Sequence, residues 1–142
     1  MMLDRAAIER SVPHAGAMCL LDAVQEWNAA GIVCIATSPG PAHPLAGGGG
    51  VPAVAAAEYA AQATAVHGAL LDGRPAPAGM LAKLSNVKFH SDCIPADGGP
   101  LAVRARLLGR GPSGCLYDFE VDCAHHPIAR GRLMVAFAAT PA

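Results

Sequence analysis

Three observations predict an α+β chain in which one antiparallel sheet wraps around one long central helix. The stretch Val51 to Leu71, VPAVAAAEYAAQATAVHGALL, is alanine-rich and apolar almost all round. Three later runs alternate apolar and polar residues with period two, and a shorter apolar hairpin precedes the helix. A helix without a wide polar stripe has to be covered by other elements. Strands with one dry face have to bury it, so helix and sheet complete each other as two layers.

In chain order, Leu3 to Arg10 reads as a short amphipathic helix with Asp4 as its cap, ending before a turn at Pro13. Val12 to Gly16 is a tight connector, and Met18 to Trp27 is strand-like. Asn28 to Gly31 turns the chain into a second strand, Ile32 to Thr37. The segment SPGPAHPLAGGGG, Ser38 to Gly50, is too rich in proline and glycine for regular structure.

The central helix is expected over about residues 52–72. Alanine favours it because no side-chain entropy is lost, and Pro52 suits a first-turn position. Gly68, Asp72 and Gly73 mark its fraying end. After GRPAPAG, Met80 to Ser91 is long enough for a bent strand. Leu101 to Leu107, Cys115 to Val121 and Ala129 to Phe137 then form a meander, with turns at GRGPSG (Gly109 to Gly114) and AHHP (Ala124 to Pro127). Arg104 and Arg106 opposite Asp118 and Glu120 predict cross-strand pairs on the wet face.

A chain of 142 residues is read as a single domain over 1–142. With 53% hydrophobic and 15% charged residues it is expected to cover apolar surface with a second subunit. Ten basic against eleven acidic residues carry no electrostatic footprint for nucleic acid. The five cysteines form no CxxC pair and read as small buried hydrophobes in a reducing compartment, without support for a zinc site. Cys123, His125 and His126 lack a second pair of metal ligands. The N-terminus has acids and no apolar core of a secretory signal, so the cytoplasm is the expected compartment. The central helix has a length that fits a bilayer, but Glu58, Gln62 and His67 within it argue against a membrane span.

Glu58 is the odd residue of that helix, an acid placed where its ionised form is costly. Either a partner group compensates it or the carboxyl keeps its proton, and such acids cluster at functional sites. The competing reading is an acid on a narrow exposed edge, paired with Gln62 one turn on. His67, a further turn along, reads as a satisfied core or interface histidine.

Several stretches resemble one family. VPHAGAMCLLDAVQEW, with its Pro-His turn and an apolar stretch carrying Leu21 and Asp22, resembles the opening of bacterial 3-hydroxyacyl-ACP dehydratases. Pro52, Glu58 and Gln62 recur at the spacing of that family's central helix. EYAAQATAVHGALL and the following LAKLSNVKFH, Leu81 to His90, are similar to the small dehydratases of aryl-polyene and related fatty-acid-like pathways. The resemblance spans nearly the whole chain and implies a hot-dog fold. It also implies loss of water from a 3-hydroxyacyl thioester on acyl carrier protein, giving the trans-2-enoyl thioester, with no metal or redox cofactor. The implied assembly is a homodimer, or a heterodimer with another hot-dog subunit.

In that family a loop histidine and the helix glutamate, from opposite subunits, form the catalytic pair. Glu58 matches the glutamate. His43 stands in the loop before the helix, in His-Pro-Leu where the family has His-Phe-Pro, and His14 is the other candidate base. An imidazole is neutral near pH 7 and suits abstraction of the α-proton, while Glu58 would protonate the leaving hydroxyl. N–H groups near the helix start, at Gly49, Gly50, Val51 and Ala53, are expected to receive the enolate oxygen. Gln62 is expected to orient the carboxyl, and Lys83, Lys88 or Arg74 to line the approach of the carrier's arm. Two other functions fit the same residues: a non-catalytic hot-dog subunit that pairs with an active dehydratase, and an acyl thioesterase directing water with Glu58.

Overall fold

The computed structural model describes residues 3–12, 19–37, 51–95 and 99–137. A two-residue strand, β1 (Leu3–Asp4), leads into helix α1 (Arg5–Ser11). Asp4 caps it as expected, its carboxylate accepting from the Ala7 amide at 2.9 Å. Strands β2 (Ala23–Asn28) and β3 (Gly31–Ala36) form the first hairpin. The Asn28 side chain makes its turn by accepting from the amides of Ala30 and Gly31. The expected strand from Met18 is shorter because residues 19–22 leave the ladder. The Leu20 amide donates to the Gln62 side chain at 2.8 Å, and Asp22 is held by Arg5 and the Thr37 amide.

Strand β4 (Val51–Pro52) and a 3-10 turn, Ala53–Ala55, introduce helix α2 (Ala56–Asp72). Its end is set by Gly73, whose φ of 67° is left-handed and whose amide closes on the Ala69 carbonyl. Gly68, expected in the fraying end, is instead a buried interior residue of the helix. Among the described residues no helix is long and apolar enough to cross a membrane.

Strand β5 (Gly79–Phe89) is bent by two bulges, and β6 (Cys93–Ile94) pairs back onto β4. The meander follows as β7 (Leu101–Gly111), β8 (Gly114–Cys123) and β9 (His126–Phe137). Its turns are tighter than expected. Gly111 pairs with Gly114 across Pro112 and Ser113, and Cys123 pairs with His126 across Ala124 and His125. Sheet order is β1-β2-β3-β7-β8-β9-β5, antiparallel throughout.

The predicted sidedness holds. Leu101, Val103, Tyr117, Val121 and Leu133 are fully buried against Ala56, Ala60, Ala63 and Val66 of α2. Alanines on the helix let its backbone lie close to the sheet, and each fully buried leucine or valine contributes about 1.5–3 kcal/mol. Four of the five cysteines are buried and all five are free thiols.

On the wet face the expected cross-strand register is present, with Arg104 opposite Glu120 and Arg106 opposite Asp118. The ion pairs follow it only in part, since Arg104 reaches diagonally to Asp122 at 2.8 Å. Asp118 bridges Arg132 at 2.9 Å and Arg106 at 3.2 Å. The Arg132 hydrogen bond, aided by Arg106, holds the Asp118 carboxyl below the usual carboxylate range. Asp118→Asn should therefore lower unfolding free energy by about 1 kcal/mol or less, and by less still at high salt. Urea melts at two ionic strengths check this, and an unchanged midpoint at low salt would refute the bridge's contribution.

Candidate active site

A cleft of about 290 Å³ lies between α2, the first residues of β5 and the inner faces of β8 and β9. Helix α2 packs on β3, β7, β8 and β9, while β5 is carried outward on β9 and leaves the gap. Glu58 and Gln62, one turn apart, line it together with Ala61 and Ala65; Met80, Leu81, Val135 and Phe137 form the apolar side. A second, broader depression lies on the outer face of the sheet. Three of its arginines, Arg104, Arg106 and Arg132, are held in ion pairs with Asp122 and Asp118, and it is remote from the helix acid.

Glu58 is exposed in the single chain, which corrects the reading that the apolar run buries it and matches the competing one of an acid on an exposed edge. The reason is geometric: the sheet covers one side of α2, and Glu58 stands on the side left open, at the edge of the cleft. Gln62 is buried as a cleft residue should be, but its side-chain oxygen accepts from the Leu20 amide at 2.8 Å.

The helix start differs as well. The Ala53 amide donates to the Asp92 carbonyl at 3.0 Å, so it is not available for an oxyanion. Val51 is buried and pairs with Ile94 in the small sheet. His14, His43, Gly49 and Gly50 lie outside the described residues. Lys83 and Lys88 are exposed on β5, whereas Arg74 follows the C-terminal end of α2, far from Glu58. Cys123 is buried while His125 and His126 are exposed on the β8–β9 turn, so the three do not converge.

His67 is fully buried and satisfied, as the sequence reading favoured. Its Nε2–H donates to the Asn28 carbonyl at 2.7 Å, which leaves Nδ1 as the acceptor of the Tyr117 hydroxyl at 2.6 Å. Burial holds the imidazole below its ordinary pKa of 6.5, offset in part by the Asn28 bond. Tyr117 lines the cleft and was legible only as one apolar residue of an alternating strand. Burial raises its phenol well above the ordinary range, so the hydroxyl stays protonated as His67's donor. Arg110, read from sequence as part of a turn, also reaches the cleft wall.

One long helix wrapped by an antiparallel sheet, with a helix acid at the cleft mouth, defines the class as hot-dog. A family model of the ApeP-like group, ApeP dehydratase, matches residues 6–141, and the chain belongs to that family. No curated protein matches the sequence. Among solved structures, a chain in the dehydratase heterocomplex ApeI:P from Xenorhabdus doucetiae is similar with a TM-score of 0.82 and 23% identity, over 94% of this chain and 91% of that one. A thioesterase from Staphylococcus aureus gives 0.60 at 15% identity, over 82% and 92%. A hypothetical thioesterase from Streptococcus pneumoniae, solved with coenzyme A, gives 0.57 at 8%, over 84% and 87%. At such identities these structures show the shared fold.

The His67 pair has a measurable consequence. The folded state resists protonating His67 while the unfolded chain binds that proton near pH 6.5, so this contribution to stability is present above pH 6.5 and is lost as pH falls below it. Urea midpoints between about pH 5 and pH 7 should show this slope in the parent chain and lose it in His67→Gln. Tyr117→Phe leaves Nδ1 buried without its donor and should cost about 1–3 kcal/mol. A neutral result in the same urea assay would contradict the buried hydrogen bond between His67 and Tyr117.

Proposed function

We propose that the chain removes water from a 3-hydroxyacyl thioester carried on acyl carrier protein, giving the trans-2-enoyl thioester. The observation that carries the reading is Glu58 at the mouth of an apolar cleft along α2, in a chain of a dehydratase family. The acyl chain lies along Ala61, Ala65 and Met80 with its thioester end toward Glu58. A neutral imidazole takes the α-proton, the C–H electron pair becomes the new α,β double bond, and the β C–O bond breaks. Glu58 gives its proton to the departing hydroxyl, which leaves as water, and both groups then re-equilibrate with solvent. His43 or His14 supplies the imidazole, and Gly49 or Gly50 the amides that receive the enolate oxygen.

The exposure of Glu58 in the single chain fits a site completed by a second hot-dog subunit. Strand β5 is the long edge of the sheet and pairs only with β9 among the described strands. Met80 and Phe89 on it, and Val54 near the helix start, are exposed apolar residues. An unpaired strand edge with apolar flanks invites pairing with another chain. The similar Xenorhabdus doucetiae structure is named as a heterocomplex, which favours a different hot-dog subunit as partner. It also supports the second reading, in which this chain completes an active partner without doing the chemistry itself.

The test is mass analysis of a 3-hydroxyacyl carrier protein incubated with the chain, alone and with its partner subunit. Glu58→Gln should lower turnover by about a hundredfold to ten-thousandfold with an unchanged urea midpoint, since the side chain is exposed. His43→Ala and His14→Ala, compared side by side, identify the base as the variant that loses turnover. Full activity of Glu58→Gln in the complex would assign the chain to the non-catalytic role, and release of free acid would assign it to hydrolysis.

A further inference from the structure

The far end of the cleft is not apolar. From Glu58 the cleft follows α2 to Gly68, ten residues and about 15 Å on. There Arg110 of β7 lies across the helix. Gly68 makes this approach possible, since a Cβ at that position would stand 3.3 Å from Arg110 Nη2. Asp72, one turn beyond Gly68, clamps the guanidinium fork to fork, with Nη1 to Oδ1 at 2.8 Å and Nη2 to Oδ2 at 2.6 Å. That hydrogen-bonded pairing holds the Asp72 carboxyl below the ordinary carboxylate range.

On the other side of Arg110 lies a separate open depression, bounded by Asp72, Arg74 and Pro112. Arg110, Pro77 and Phe137 belong to the walls of both spaces. The clamped guanidinium is therefore a partition between the acyl cleft and the outer surface at the end of α2.

We infer that Arg110, held by Asp72, is the end stop that sets the longest acyl chain the cleft accepts. The inference rests on the acyl cleft proposed above. A methyl terminus gains by burial until it reaches the guanidinium. Going further requires breaking two charge-assisted hydrogen bonds and covering a charged group with hydrocarbon, both unfavourable. Asp72 makes no contact with the chain in this arrangement and acts as a positioning residue, fixing the arginine against the helix.

The experiment is a binding ladder. Carrier proteins bearing saturated acyl chains of increasing length are titrated calorimetrically against the chain in complex with its partner. Affinity should rise with length to a break and then fall. In Arg110→Ala the break should move to longer chains, and the ratio of long-chain to short-chain affinity should rise by roughly tenfold or more, the scale of a methylene that fits or fails to fit. Asp72→Asn, which loosens the clamp but keeps the arginine's bulk, should move the break in the same direction by less. An unmoved break in both variants, or no break in the parent, overturns the inference. Saturated chains cannot lose water, so a moved break without turnover of the 3-hydroxyacyl forms would sustain the end stop while removing the dehydratase reading.

Discussion

The packing of α2 against only part of the sheet governs the rest of the molecule. Alanines at 56, 60 and 63 bring the helix close to β3, β7 and β8. Among the described strands the sheet curls without closing, and β5, attached there through β9 alone, stands away from the helix. Much of the gap is lined by hydrocarbon, with Glu58 at its mouth and Arg110 at its far end. Among the described elements, the sheet and the long helix leave a seam where the helix carries Glu58 and Gln62.

Two buried polar contacts hold the seam's geometry. Gln62 ties the segment before β2 to the helix through the Leu20 amide, so the chain entering the first hairpin is fixed from inside. His67 joins the other end of the helix to the Asn28 turn and to Tyr117 of β8. Each has its hydrogen-bond partner, as a buried polar group in a tight core requires. Glu58 has the opposite character: it is exposed in the first turn of the helix, and it faces the side on which β5 forms an edge of the described sheet. On the proposed reading, that second subunit converts an exposed carboxylate into an enclosed one.

Much of this fold was legible because its signals are local. Period-two alternation in β7, β8 and β9 fixed which residues face inward, and alanine content with Gly73 fixed the helix and its end. The site was legible only as far as Glu58 and Gln62 share a helix face. Whether an apolar helix is covered all round depends on sheet closure, which no window of sequence contains, so the choice between a buried Glu58 and one on an exposed edge stayed open until the structure decided it. The pairing of His67 with Tyr117 and of Arg110 with Asp72 joins residues 50 and 38 positions apart, beyond any spacing rule. The use of the Ala53 amide by Asp92 arises from the small β4–β6 sheet, whose two-residue strands carry no periodic signal.

On the proposed dehydratase reading, the cleft beside Glu58 exchanges water across the α,β bond of a thioester. Running the reaction backward provides the decisive measurement: a trans-2-enoyl carrier protein is incubated with the chain and the proposed second hot-dog subunit in deuterated, heavy-oxygen water. The expected product is a 3-hydroxyacyl thioester with deuterium on the α-carbon and heavy oxygen on the β-carbon, its formation dependent on Glu58. Heavy oxygen found only in released carboxylic acid, or product formation indifferent to Glu58, would contradict that reading.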